Sequence, residues 1–443
     1  MYIHVKIKKT FDVETFNEYL NSPVYSTLLQ KITELGDKVF HANRLANLQA
    51  YFEGFTFYTS SKYRPTPVDI LPRIISIKDF RLVENSLKAR AKILNAFLRE
   101  VYEEGNVPIP EWIVKESPYY KPEMIGFSPP QGIYIHVYGA DLVRVNGRFY
   151  ILEDNLRIPS GVAYAYKVRE FAERFLPELG EGYKKLELDA IENLSKITSC
   201  GMKNPVKVIL TDGSLNSAFF EHSFISKNCD MILAEPKDLR VKEGEVVVNT
   251  ADCGEVHVDI IYRRIEDLEV LSPEILRAYL RGWVTIANAP GTGIADDKAI
   301  FPFIPYLAER YSISLGDVYQ PYTMDLYDLE NLSRFIENPN GFVIKRREGY
   351  GGFGLSIIKD EKNDSVLEEV AKSHENFIAQ QTLDFDTTVS VLGDEYYESF
   401  SDLRFFTYFD NVSKAVLSRV APPGSRVTNN SSGGMVKPVW IIQ

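Results

Sequence analysis

The Asn146-Gly147 dipeptide, set between two mainly apolar stretches, constrains this chain more than any other local feature. Both residues tolerate positive φ, and a two-residue turn of that kind twists as its flanking strands twist, so the segment predicts a β-hairpin. Glu153 and Asn155 are two apart on the second strand and therefore share a face. The first strand can bring Asp141 alongside them. Two carboxylates and an amide suit magnesium, which takes few protein oxygens and fills the rest of its octahedron with water and phosphate. Asp141, Glu153 and Asn155 are accordingly candidate metal ligands, although the same pattern also describes a solvated strand with polar residues facing out.

A second feature lies in residues 341–359, which read as a strand, a glycine-rich turn and another strand. Gly349, Gly351, Gly352 and Gly354 allow a tight turn whose N–H groups face inward, a geometry that cradles phosphate. Lys345 comes at the end of the apolar first strand and would carry its charge inward. No Gly-Lys-Ser/Thr follows and no helix pattern opens after the loop, so this is not a Walker-type phosphate loop. By itself a glycine loop is often only a hairpin, and a lysine ending a strand usually just lays its stem along apolar surface.

Composition sets the outer bounds. The 443 residues are 45% hydrophobic and 25% charged, enough for about three ordinary globular domains. The 50 basic and 61 acidic residues leave a net charge of −11, which argues against partners such as nucleic acid or an anionic membrane. Residues 1–10 have no apolar core of signal-peptide length and no run approaches the roughly 18 apolar residues of a membrane helix, so a cytoplasmic location is expected. Cys200, Cys229 and Cys253 have no paired spacing, which predicts three reduced thiols. The six histidines are scattered and no Gly-x-Ser-x-Gly elbow occurs, so zinc and serine-hydrolase chemistry find no support.

Along the chain, helical periodicity dominates residues 11–105, most clearly over Val83–Tyr102, and six prolines in 106–131 predict a connecting loop. Helices are expected over 163–197 and from Ser214 to Lys227. Short strands at 206–210, 231–234, 246–248 and 258–262 give the βαβ rhythm of a mainly parallel sheet. Tyr262-Arg263-Arg264 would place a guanidinium at a strand end, where open α/β sheets bind ligands, and Arg264 is the candidate catalytic residue there. Asn216, Glu221 and His222 lie near a helix start that favours anions, but cap and surface roles explain them equally well.

Taken together, the hairpin, the lysine strand and their order resemble the circularly permuted branch of the ATP-grasp superfamily, which includes the ligase domain of glutathionylspermidine synthetase. In ordinary members the acidic hairpin follows the lysine strands. Here the segment from Glu153-Asp-Asn155 to Gly161 precedes them, with Asp141 twelve residues before Glu153. The turn Asn288–Asp297 leading into Lys298 resembles the site of the first ATP-binding lysine, and Lys345 resembles the second. Phe377–Gln381 is similar to the adenine hinge, with Gln380 and Gln381 where an acidic residue is common. Asp402-Leu-Arg404 resembles the Asp-x-Arg strand at the phosphate end, and Arg426 to Gly434, including Asn429, resembles the segment before the usual C-terminus. Arg346 and Glu348 depart from a loop that often begins Lys-Pro.

The resemblance implies an α/β (α+β) chain: an ATP-grasp fold, circularly permuted, with a smaller α/β substrate domain and an α-rich N-terminal region. Residues 1–130 would be that N-terminal region, 131–203 the hairpin part of the core, 204–294 the small α/β domain, and 295–443 the lysine strands, glycine loop and C-terminal core. It further implies an ATP- and Mg²⁺-dependent ligase that joins a small-molecule or peptide carboxylate to an amine through an acyl phosphate, giving ADP. Lys298, Lys345 and Arg404 would supply positive field during phosphoryl transfer. Nucleotide contacts would come from Lys298, Lys345, the four loop glycines, Gln380, Gln381, Arg404 and Asn429. A carboxylate or other small-molecule kinase that stops at phosphoryl transfer, and a non-catalytic nucleotide-binding subunit docking partners through its N-terminal helices, are the alternatives. A homo-oligomer is compatible with either.

Overall fold

Asn146 and Gly147 take φ of 49° and 78°, and the strands Val137–Val145 and Arg148–Asn155 pair antiparallel around them. The computed structural model describes residues 5–11, 15–59, 62–265, 273–347, 355–357, 364–428 and 433–443. In the hairpin Asp141 lies opposite Glu153 and Gly139 opposite Asn155. The register then shifts, because Leu142 pairs with Ile151 and Leu152 is left as an extra, bulged residue.

The hairpin completes a sheet whose other main strands come from the far end of the chain. Val137–Val145 pairs antiparallel with the long strand Glu395–Tyr408, which pairs in turn with Leu417–Val420, and that strand with Met435–Lys437. Arg404 stands directly opposite Asp141, and Asp402 opposite Arg419. Helix Ile77–Tyr102 starts at Ser76, whose hydroxyl accepts from Asp79 N at 3.0 Å. Its apolar positions Val83, Leu87, Leu94, Phe97 and Val101 are buried in the same cluster as Leu142, Ile151 and Phe405 of the sheet.

Two further sheets flank this one. Lys207–Leu210, Ile232–Ala234, Ile260–Arg263 and Thr285–Ala287 form a parallel four-stranded sheet. Thr323–Asp325, Phe342–Arg346, Leu355–Ile357 and Phe377–Gln381 form an antiparallel one, with Lys345 opposite both Ile378 and Leu355.

Several expectations need correction. The strand around 246–248 is not in the parallel sheet; it belongs to an antiparallel meander of Leu239–Lys242, Glu245–Thr250 and Gly254–His257. Glu243 and Gly244, both at positive φ, form the tight turn that sends the chain straight back. The helix expected from Ser214 begins at Phe219, because the Asn216 side chain accepts from Ala218 N at 2.7 Å and holds a turn there. The N-terminal stretch contains the helices Ser26–Leu35 and Asp37–Phe52 but also the strands Thr56–Thr59, Lys62–Pro65 and Arg73–Ser76. Arg73–Ser76 pairs parallel with Val439–Ile442, a partner that local periodicity cannot reveal. Among the described residues no helix is long and apolar enough to cross a membrane. The three cysteines are free.

Candidate functional site

The bulge at Leu152 is where the hairpin meets the lysine sheet. Lys345 Nζ donates to Leu152 O at 3.1 Å, and Gln380 Nε2 reaches the same oxygen at 3.4 Å. Beside it, Lys298 Nζ pairs with Glu153 at 3.0 Å. A small cleft there is lined by Leu152, Glu153, Asp296, Lys298, Phe301 and Ile378. Three segments far apart in sequence thus bring Glu153, Lys298 and Lys345 near one another, with the Lys345 ammonium turned onto Leu152 O.

Lys345 is buried, and burial lowers its pKa to about 8; Glu153 opposes that shift and Lys298 adds to it. A buried ammonium held down in this way is poised to gain an anionic neighbour. Glu153 is partly open, with a quarter of its side chain exposed. Asn155 shares the face of Glu153 and spends its Nδ2 on Gly139 O at 3.3 Å.

Asp141 faces two arginines. Its two oxygens accept from Arg404 at 2.6 and 2.7 Å, and Arg419 lies 2.9 Å from one of them. Burial alone would raise the Asp141 pKa, but the two guanidinium groups hold it well below the usual carboxylate range. Asp141 is therefore a counter-ion to two arginines. Among the described residues no group of three or more His, Cys, Asp or Glu side chains is arranged for a metal.

Arg264 is turned into the protein. Its side chain is almost fully buried, paired with Glu221 at 3.1 Å and donating to Pro159 O at 2.8 Å and to Ser160 Oγ. It holds a turn of the protein instead of offering an open fork to a ligand. Gln380 is buried and also bonds Thr323 Oγ1 at 3.3 Å, whereas Gln381 is exposed and its backbone N donates to Tyr322 O at 2.8 Å. Gly349, Gly351, Gly352, Gly354 and Asn429 lie outside the described residues.

Sequence reading missed the residues that fix the lysines. Asp297, immediately before Lys298, is buried and accepts from both Arg347 Nε at 3.1 Å and Nη2 at 2.8 Å. It also accepts from Ser117 Oγ at 3.1 Å and caps Ala299 N at 3.0 Å. Arg347 lies two residues after Lys345, so one buried ion pair ties the two lysine segments together. Asp296 accepts from Leu156 N at 2.6 Å and Arg157 N at 2.9 Å, which binds the Lys298 turn to the end of the hairpin. The only local signal was the acidic pair directly ahead of Lys298.

Comparison with known proteins follows the same lines. The family described as circularly permuted ATP-grasp type 2 matches over residues 72–421. An uncharacterized protein of Synechocystis sp. is 32% identical over 409 residues, 85% of this chain and 84% of that one. A Frankia casuarinae protein named "Putative glutamate--cysteine ligase 2-2" is 32% identical over 95% of this chain, which spans only 52% of that longer protein. A glutathione synthetase-like effector from Globodera pallida in its apo form shares the fold, with a TM-score of 0.59 at 11% identity over 91% of this chain and 97% of its own.

Proposed function

Because the chain belongs to the circularly permuted ATP-grasp type 2 family, we propose that it is an ATP-dependent, ADP-forming ligase joining a carboxylate to an amine through an acyl phosphate. The observation that carries this reading is that Glu153 and Lys298 pair in one cleft while Lys345 bonds Leu152 O, the residue next to Glu153, so that the hairpin and the lysine segments that follow it in sequence come together. Phosphoryl transfer asks the protein for placed positive charge more than for covalent chemistry. MgATP would supply the phosphoryl group. Glu153 and Asn155 would hold the metal, and Lys298 and Lys345 would neutralise the phosphate oxygens.

Arg404 would complete that field. Of its five N–H groups, two serve Asp141 and one serves Ser160 O at 3.1 Å, so two remain for a ligand. Its orientation is fixed by the Asp141 carboxylate, which is the kind of preorganisation that lets a charge act without rearranging. The Frankia relative's name supports an amino-acid or peptide carboxylate as the acid substrate. Incubation with MgATP, pooled amino acids and peptides, and hydroxylamine should release ADP and phosphate and trap a hydroxamate visible by mass spectrometry. AMP and pyrophosphate as products would overturn the acyl-phosphate reading in favour of adenylation.

A further inference from the structure

The turn Pro159-Ser160-Gly161, which follows the hairpin, is held from two sides. Glu221, on helix Phe219–Asn228, accepts from Gly161 N at 2.7 Å and Ala163 N at 3.0 Å, and so satisfies free N–H groups at the start of helix Val162–Phe175. Arg264, just past the parallel strand Ile260–Arg263, pairs with Glu221 and donates to Pro159 O and Ser160 Oγ. Gly161 sits at φ 135°, and a Cβ there would come within 2.8 Å of Leu417 and 3.0 Å of Phe406. The turn therefore has almost no freedom.

On its other side the turn meets Arg404, whose Nη1 donates to Ser160 O at 3.1 Å. Among the described residues that contact is the one hydrogen bond of Arg404 that does not go to Asp141. A guanidinium is planar, so fixing one edge on a carboxylate and a third N–H on a carbonyl determines where its two remaining N–H groups point. The carbonyl in turn is where it is because Glu221 and Arg264 hold the residues around it.

We infer that Glu221 and Arg264 are positioning residues that aim Arg404 through the Pro159–Gly161 turn, so that the parallel sheet sets the geometry of the phosphate-facing arginine. This rests on the nucleotide reading of the site. Neither side chain is open to solvent. Both side chains are buried, Glu221 with each oxygen hydrogen-bonded and Arg264 bonded through its two Nη groups, and Arg404 meets the turn they hold at the Ser160 carbonyl.

The test is a double-mutant cycle on nucleotide affinity, with MgATP and MgADP titrated by calorimetry into the wild-type protein, E221Q, R404Q and E221Q/R404Q. E221Q should weaken MgATP binding about tenfold and MgADP binding less than about threefold, since a third phosphate is what Arg404 would meet. In the R404Q background the same change should alter MgATP affinity by less than about twofold. S160A, which removes only the hydroxyl that receives Arg264, should give the same pattern at smaller size and serves if E221Q does not fold. Equal losses for both nucleotides, or an undiminished loss in the R404Q background, would overturn the inference and leave Glu221 a purely structural residue. Failure of the wild-type protein to bind MgATP would be a different result, because it would overturn the nucleotide reading together with the inference.

Discussion

Asp297→Asn is the substitution that most directly probes how the two lysine segments are held together. The carboxylate is buried and takes two charge-assisted bonds from Arg347, one from Ser117 and one from Ala299 N. An amide of the same shape keeps one acceptor oxygen, so the cap can survive, but the buried guanidinium loses its counter-charge. Removing one partner of a buried ion pair costs about 3–5 kcal/mol, and the retained amide bond places this case near 3 kcal/mol. With a slope of about 3 kcal/mol per molar urea, the midpoint should fall by about 1 M. Urea unfolding followed by far-UV circular dichroism measures this. Arg347→Met should also destabilise, and the double variant should be less unstable than the sum of the two, because each single change leaves one charge stranded. A midpoint within about 0.2 M of wild type for Asp297→Asn, or strict additivity in the double variant, would refute the argument that this pair fixes the lysine segments.

Lys345 should make nucleotide binding pH-dependent. Its pKa in the free protein is lowered to about 8 by burial, and a phosphate chain beside it would raise that value again. Binding would then take up a proton above pH 8, so MgATP affinity should be flat at lower pH and fall by up to tenfold per pH unit as pH rises beyond about 8. Affinity that stays constant to about pH 9.5, or an unchanged slope in Lys345→Met, would remove Lys345 from the nucleotide site. Two of the hairpin carboxylates, Glu153 and Asp141, should behave oppositely. Glu153→Gln alters a partly exposed pair with Lys298 and should change stability by less than about 1 kcal/mol while turnover falls at least about a hundredfold. Asp141→Asn takes the counter-charge from Arg404 and Arg419 and should lower stability by about 3 kcal/mol in the same urea assay.

Much of this molecule is set by signals that act over a few residues. Asn146-Gly147 fixes a hairpin because a turn with two positive φ values matches the strand twist and both residues tolerate it, and that turn carries Glu153 and Asn155 on one face without outside help. The 3.6-residue spacing from Val83 to Tyr102 fixes a helix in the same way, and the order of hairpin and lysines along the chain was enough to suggest the fold. Tertiary structure decided the partners. Asp141 became the counter-ion of arginines 263 and 278 residues away (404 − 141 and 419 − 141), and Arg264 turned inward because Glu221 waits for it in the core. The bulge that turns Leu152 O toward Lys345 is a property of two strands paired together, not of either strand alone. Charged side chains are long and find their lowest energy with whatever opposite charge the fold brings near. A local sequence can therefore name the residue that carries a charge, but the assembled protein alone determines which charge it meets.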